Sequence, residues 1–378
     1  MKARMNYASV FILVLTVLVR LNCAAQSEIQ GQLDQMITEE HYPGISLGLI
    51  NKDGEVHSMV SGWADRELAI PMTSDNKLLG GSTGKTFVAA ILMQLMEENK
   101  ISKENYISKW LGDDDWFGQL PNNNKLIVKH LLQHQSGLER YEFKPEFTND
   151  VLKDASKVWR PEELISYVLG DKPLFEPGDQ FSYSDTNYIL LGMIIERIEG
   201  KPYYQVLNDR LLEPLGLMEI VPTNSLTIDK LAQGYTGDKD PLGYNNTILK
   251  NGQSKYNLQF EWTGGGLAFK TGDYAKWLKV LFEGGAFDWD KMNAQFIDVV
   301  DSPEIGGQYG IGFQVYNFEK IGKAFGHSGF FPGYFTMGVY IPEKKIAIAM
   351  QVNTSQTEHI KFFYQDFTQI LQQVVNLN

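Results

Sequence analysis

The chain has 378 residues, 43% of them hydrophobic and 21% charged, with a formal net charge of -12 at pH 7. That length supports one large domain or two intimate ones around a sizeable core. The acidic balance argues against nucleic acid as a partner, because phosphate binding needs a basic surface, and the single cysteine, Cys23, excludes an intrachain disulfide.

The N-terminus reads as an export leader. Lys2 and Arg4 precede a short apolar run, Tyr7 to Val19, and small residues near Ala25 suit cleavage. Residues 1–25 are therefore expected to be the signal peptide of a periplasmic or secreted protein. The alternative is membrane tethering through the N-terminus, uncleaved or lipid-bearing at Cys23, although Arg20 and Asn22 suit a lipid site poorly. Ile29, Leu33 and Ile37 then recur at helical spacing behind Ser27, a plausible N-cap. "GISLGLINKDGEVHSMVSGWAD" predicts two strands joined at Asp53-Gly54, a hairpin signal. "GGSTGKTFVAA", Gly80 to Ala90, ends a polar run and opens an apolar one that continues to Met96.

From about Ser102 to Gly284 the pattern is mostly helices and turns. The last part turns to strands, in "YGIGFQVYNF", "GYFTMGVYI" and "KIAIAMQVN", and ends in an amphipathic helix, "EHIKFFYQDFTQILQQVV". Two early strands and three late ones predict an antiparallel five-stranded sheet flanked by the N- and C-terminal helices. The fold class is then α/β (α+β) with an inserted all-α subdomain. Residues 26–378 form one domain, its α/β part over about 26–100 and 285–378 and its helical insert over about 101–284. The cleft between sheet and insert is the natural place for a site.

The Gly80–Ala90 stretch admits two chemistries. A phosphate loop needs G-x-x-x-x-G-K-[ST] behind a buried strand. Counting back from Gly84 puts Leu79 where the first glycine belongs, and "IPMTSDNKLL" is too polar for that strand. The other chemistry is nucleophilic. A serine hydroxyl needs a base, and with Ser82 at the first turn of a helix, Lys85 lies one turn on and on the same face. Burial lowers a lysine's pKa and fits it to take that proton. The helix N-terminus favours negative charge developing at Ser82. S-x-x-K alone is a weak signal; a second copy, Ser74 to Lys77, has no helix behind it.

Two further stretches add weight. "FEPGDQFSYSDTNYILLG" carries Tyr183-Ser184-Asp185 behind a Pro-Gly turn and ahead of an apolar helix. "FGHSGFFPGY" carries His327-Ser328-Gly329 between strand-like segments. Tyr244-Asn245-Asn246 repeats the Y-x-N spelling in a polar loop without that context, so Tyr183 is preferred.

In this order, Ser82-x-x-Lys85, Tyr183-x-Asp185 and His327-x-Gly329 resemble the serine β-lactamase and penicillin-recognising enzyme superfamily. The similarity is to its class C-like branch, which includes D-alanyl-D-alanine carboxypeptidases, D-amino-acid peptidases and esterases. "HLLQHQSGL", "GGGLAFKTGDYAKW" and "YGIGFQV" are similar too, and the resemblance runs from about residue 30 to 375. It implies a serine hydrolase in which Ser82 is acylated, Lys85 takes or relays its proton, and Tyr183 shuttles a proton to the leaving group. It also implies oxyanion donors in the backbone N–H groups of Ser82 and Phe330, with His327 and Ser328 orienting the substrate. No metal or other cofactor is implied, and the expected partner is a small-molecule or peptide substrate: a D-amino-acid peptide, a small ester or a β-lactam. No nucleic acid and no obligate protein partner is expected.

Two positions depart from the pattern. Asp185 stands where Asn is common, and a carboxylate near Lys85 raises the lysine's pKa and shifts weight to Tyr183. Asn187 is a candidate substitute amide. His327 stands where β-lactamases usually carry lysine, so the grip on a substrate carboxylate weakens. The competing reading is a catalytically silent member of the fold that binds peptidoglycan or peptides. His130 and His134, spaced i, i+4, lack the glutamate of a zinc helix and read as a helix end packed near the core.

Overall fold

The structure is a computed structural model that describes residues 26–237, 240, 242 and 246–377. Residues 1–25, where a leader is expected and Cys23 lies, and Tyr244 and Asn245 of the second Y-x-N copy, are outside the described residues. In chain order the strands are β1 (Gly44–Ile50), β2 (Val56–Asp65), β3 (Ile70–Pro71), β4 (Leu78–Leu79), β5 (Val221–Pro222), β6 (Leu249–Lys250) and β7 (Gln253–Ser254). They continue as β8 (Leu267–Phe269), β9 (Val300–Ser302), β10 (Gly307–Tyr309), β11 (Gln314–Phe318), β12 (Gly322–Phe331), β13 (Tyr334–Ile341) and β14 (Ile346–Val352).

The main sheet is antiparallel and runs β3-β2-β1-β14-β13-β12-β11-β10-β9. It contains the five expected strands, β1, β2, β11, β13 and β14, but has nine in all. The largest addition is β12, paired on one side with β13, His327 opposite Gly338, and on the other with β11, Gln314 opposite Gly326. Its sequence, GKAFGHSGFF, has three glycines and no apolar alternation, so periodicity could not find it. The rest are short edge strands.

The alternation along the central strands shows what covers each face. In β1 and β14, Ile45, Leu47, Leu49, Ile346, Ile348 and Met350 share one apolar cluster with Ile29, Leu33, Phe363, Phe367 and Leu371. That face is therefore covered by the helix over residues 26–38 and by the helix Thr357–Leu377. The opposite face carries small residues. A Cβ added to Gly48 would lie 2.5 Å from the Thr271 carbonyl oxygen, and one on Gly338 would lie 2.4 Å from the Tyr274 ring. The helix Thr271–Phe282 lies directly on that face. Sequence reading assigned it to the insert; the close approach makes it part of the sheet's cover. The insert is also not purely helical, since β5 to β8 fall inside it and β8 pairs with both β4 and β5. Behind this layer the helix Lys85–Glu97 is buried almost all round, as its apolar sequence requires.

Candidate active site

Ser82 stands in a tight turn, Gly81–Gly84, that leads into the helix Lys85–Glu97. It precedes the α-helix rather than opening it, and Lys85 is the first helical residue. Two glycines let this turn press against β12. Gly81 has φ of +54°, and a Cβ there would lie 2.5 Å from the Phe330 carbonyl oxygen. A Cβ on Gly329 would come within 1.9 Å of the Gly80 carbonyl oxygen. Ser82 and Phe330, the expected oxyanion donors, thus lie on backbone segments in direct contact.

Lys85 is fully buried and donates to three acceptors: Ser82 Oγ at 3.0 Å, the Gly264 carbonyl at 2.5 Å, and the Asp185 carboxylate. Three acceptors use all three hydrogens of an ammonium. Burial opposes the charge, but Asp185 and Tyr183 outweigh it and hold the Lys85 pKa above its ordinary value. The expectation that burial would release Lys85 as a base is thereby corrected, and the departure at Asp185 decides the outcome. Asp185 opens the helix Asp185–Glu199, where the helix N-terminus favours a carboxylate. Burial opposes its ionisation too, yet Lys85 and Arg140 hold it far below the usual carboxylate range. Arg140 Nη2 donates to Asp185 at 2.8 Å, and its Nε to Glu142 at 2.6 Å. Sequence reading missed Arg140; its only signal was a charge just after the apolar "HLLQHQSGL". Asn187 is not a substitute amide for Lys85, because its side chain bonds Ser136 and His134.

The Tyr183 hydroxyl is buried and makes no hydrogen bond of full geometry, although Lys85 Nζ lies 5.0 Å from its ring centroid. Burial raises its pKa, against the opposing pull of Lys85 and Ser82. His327 is also buried. Its Nδ1–H donates to the Ser328 carbonyl at 2.5 Å, so Nε2 accepts from the Tyr309 hydroxyl at 3.0 Å. Burial and nearby Lys85 hold the ring neutral, with its pKa pushed down to about 3. With both nitrogens engaged inside the protein, His327 supports the strand rather than gripping a ligand, which corrects the direct orienting role expected of it. Ser328 donates through both N–H and Oγ to Gln314 Oε1, at 2.9 and 3.1 Å.

A cavity of about 580 Å³ opens at Ser82. Asp185 and Arg140 lie at its polar end; Tyr141, Phe147, Phe260 and Phe331 form its wall. Phe143 and Phe330 are exposed and stand at the cavity as well. Of the aromatic residues near the third motif, Tyr334 and Phe335 turn away, to Ala232 and Phe363. Two carboxyls missed by sequence reading also line the cavity. Burial and nearby Asp185 push Glu261 up to about 8. The same causes, with a hydrogen bond to Asp185, raise Glu142 against the pull of Arg140. Glu261 precedes Trp262, whose φ of +36° is strained for a bulky residue.

Comparison with known proteins gives the chain a family. The Beta-lactamase family model matches residues 4–367. The chain belongs to the Beta-lactamase family. Among its relatives, penicillin-binding protein 4 of Amycolatopsis lactamdurans is 28% identical over 211 residues, which cover 55% of this chain and 52% of that protein. The chain thus spans about half of that relative's length. A putative D-alanyl-D-alanine carboxypeptidase of Escherichia coli O157:H7 is 25% identical over 317 residues, covering 75% of this chain and 71% of that one. The fold matches the D-amino acid amidase from Ochrobactrum anthropi SV3, complexed with L-phenylalanine amide, with a TM-score of 0.80. Identity there is 24%, over 93% of this chain and 99% of that one.

Proposed function

We propose that this member of the family is an exported serine hydrolase that cleaves amides or short peptides of D-amino acids through an acyl-enzyme on Ser82. One observation carries the reading: a buried ammonium, Lys85, saturated by Ser82, Asp185 and Gly264, beside the unpartnered hydroxyl of Tyr183. An ammonium with no free lone pair cannot accept the serine proton. Tyr183 is the neighbouring group left to move it.

Ser82 Oγ attacks the carbonyl carbon. Its proton passes to the Tyr183 oxygen while Tyr183 gives its own proton to the leaving nitrogen. The C–N bond breaks, the amine departs neutral, and an ester remains on Ser82. Water then attacks that ester; its proton goes to Tyr183, and the Tyr183 proton returns to Ser82 as the acid leaves. The phenol stays neutral throughout, in keeping with its raised pKa. Lys85 keeps its charge and stabilises the negative charge that develops on Ser82 Oγ. The N–H groups of Ser82 and Phe330 serve the carbonyl oxygen.

The cavity favours one substrate class. Its apolar wall suits an apolar or aromatic side chain, and Glu261, which Arg140 does not engage, is placed to hydrogen-bond a free amine. A β-lactam presents a carboxylate, but His327 is neutral and Arg140 is committed to Asp185 and Glu142. The D configuration is supported by the fold neighbour's name. The leader over residues 1–25 supports export.

The test is intact mass against time for wild type and Ser82→Ala, with D- and L-phenylalanine amide, an activated ester and a penicillin. The expected result is an ester adduct on wild type alone and faster hydrolysis of the D-amide than the L-amide. Rapid penicillin turnover without amide hydrolysis would replace the substrate assignment. No adduct and no turnover with any probe would favour the silent binding protein.

A further inference from the structure

We propose that His134 is the positioning residue that fixes the Tyr183 hydroxyl over Ser82, by tying down the backbone on both sides of Tyr183 and stacking on its ring. The inference rests on the reading of Tyr183 as the proton-transfer group.

The geometry is specific. The His134 carbonyl accepts from Ser182 N–H at 2.9 Å, and its Nδ1 accepts from Ser184 N–H at 3.1 Å. The residues before and after Tyr183 are therefore held by one residue. Between them the two rings stack, with centroids 4.1 Å apart and planes at 29°. Tyr183 N–H is taken by Glu304 at 3.0 Å, so three consecutive amides are committed. The Tyr183 hydroxyl itself makes no hydrogen bond of full geometry among the described residues, although Ser82 and Lys85 lie beside it. Its place is thus set largely by the backbone and by ring packing; His134 takes two of the three amides and supplies the stacked ring, while Tyr309 and Arg140 bear on the phenol from other sides.

His134 is built for this and for little else. It is fully buried, lies just past the short helix Val128–Leu132, and has φ of +55°. That conformation is uncommon outside glycine and aims carbonyl and ring at the same loop. A backbone N–H can only donate, so Nδ1 is unprotonated and the ring proton sits on Nε2, which has no hydrogen-bond partner among the described residues. Asn187 Nδ2 also points to Nδ1, at 3.2 Å, and fixes this tautomer. Burial acts first and keeps the ring neutral; nearby Lys85, His327 and Arg140 act in the same direction, and Asp185 opposes them. A neutral ring can stack on the phenol without adding a charge to it.

Two substitutions separate the functions. His134→Asn keeps a side-chain acceptor and tolerates the left-handed backbone, but loses the stack. His134→Phe keeps a stacking ring and loses the acceptor. Each is made in wild type and in Tyr183→Phe, and Ser82 acylation and release are followed with the activated ester. Misplacing a reacting group by about 1 Å costs on the order of 100-fold, so each single variant is expected to lose about 10- to 100-fold in kcat with KM within about twofold. The pH profile of kcat should change shape as well. In the Tyr183→Phe background the His134 changes should have no further effect. An equal loss in both backgrounds, or an unchanged kcat in the single variants while Tyr183→Phe is inactive, overturns the positioning role alone. Full activity in Tyr183→Phe overturns the role of Tyr183 and this inference with it. Near-ultraviolet circular dichroism checks folding. Should both His134 variants misfold, Asn187→Ala removes one donor to Nδ1 and should lower kcat several-fold in wild type and not in Tyr183→Phe.

Discussion

The two ends of the cavity treat charge in opposite ways. At the Ser82 end every charge has a partner: Lys85 with Asp185, and Asp185 with Arg140. Beside them Glu142 also takes Arg140, at 2.6 Å, whereas Glu261 is held by no ion pair among the described residues; burial and nearby Asp185 push both toward the protonated form. Pairing fixes charge over a wide pH range; poorly compensated burial makes it titrate near neutrality. The first end suits chemistry that must not change with conditions. The second can adapt to what is bound.

The largest effect is expected at the paired end. Lys85→Met keeps the length and bulk of the side chain and removes the ammonium that stabilises charge on Ser82 Oγ. Loss of such a preorganised donor costs on the order of 1000-fold in kcat. Acylation by the activated ester, followed by mass, is the measurement. A loss below tenfold would mean that Lys85 only packs the turn.

Asp185→Asn comes next, and its pH dependence carries the information. Asp185 is the first opposing cause that raises Lys85 against burial. Without it the Lys85 pKa falls, so the ammonium is lost at lower pH. If the ammonium is the working form, the alkaline limb of the rate profile moves to lower pH and activity at neutral pH drops by about 10- to 100-fold. If neutral lysine were the base, the same substitution would raise activity at neutral pH. Stability should follow a different course. Removing one partner of a buried pair costs about 3–5 kcal/mol. The depressed pKa of Asp185 means that its stabilisation is present above the unfolded value, near 4, and lost as pH falls. Wild type and variant should therefore differ most in melting temperature near neutral pH and converge in acid.

The same contrast explains what was legible in the sequence. Ser82, Lys85, Tyr183 and Asp185 sit where two short motifs meet helix starts, and local spacing reveals them. β1, β13 and β14 run apolar because they are covered on both faces, and β2, largely open on its outer side, was marked by its hairpin turn from β1. β12 was hidden by its own function. Gly329 is there so the Ser82 turn can touch the strand, and such glycines erase the apolar pattern. Arg140, Glu142 and Glu261 were illegible for another reason. They reach the cavity from loops far apart in the chain, and a charged residue in a loop reads as solvated until the fold encloses it. His134 read as a packed helix end, which is half of what it is: packed, but against Tyr183.

The smallest effect lies at the unpaired end and is the sharpest test of the division. Glu261 is neutral at pH 7 and ionises as pH rises through about 8. An uncharged apolar ester should then meet a charged wall, and its KM should rise above pH 8. A substrate with a permanently cationic trimethylammonium group should show the reverse, with KM falling over the same range. Such a probe is needed because an ordinary α-amine titrates in that window itself. Each shift should be about two- to fivefold, the size of one partly screened charge worth about 0.5–1 kcal/mol. Glu261→Gln should flatten both profiles and leave the Lys85-dependent limb of kcat where it was. If both probes shift in the same direction, the change comes from the Lys85–Asp185 pair, and the assignment of the titration to Glu261 fails.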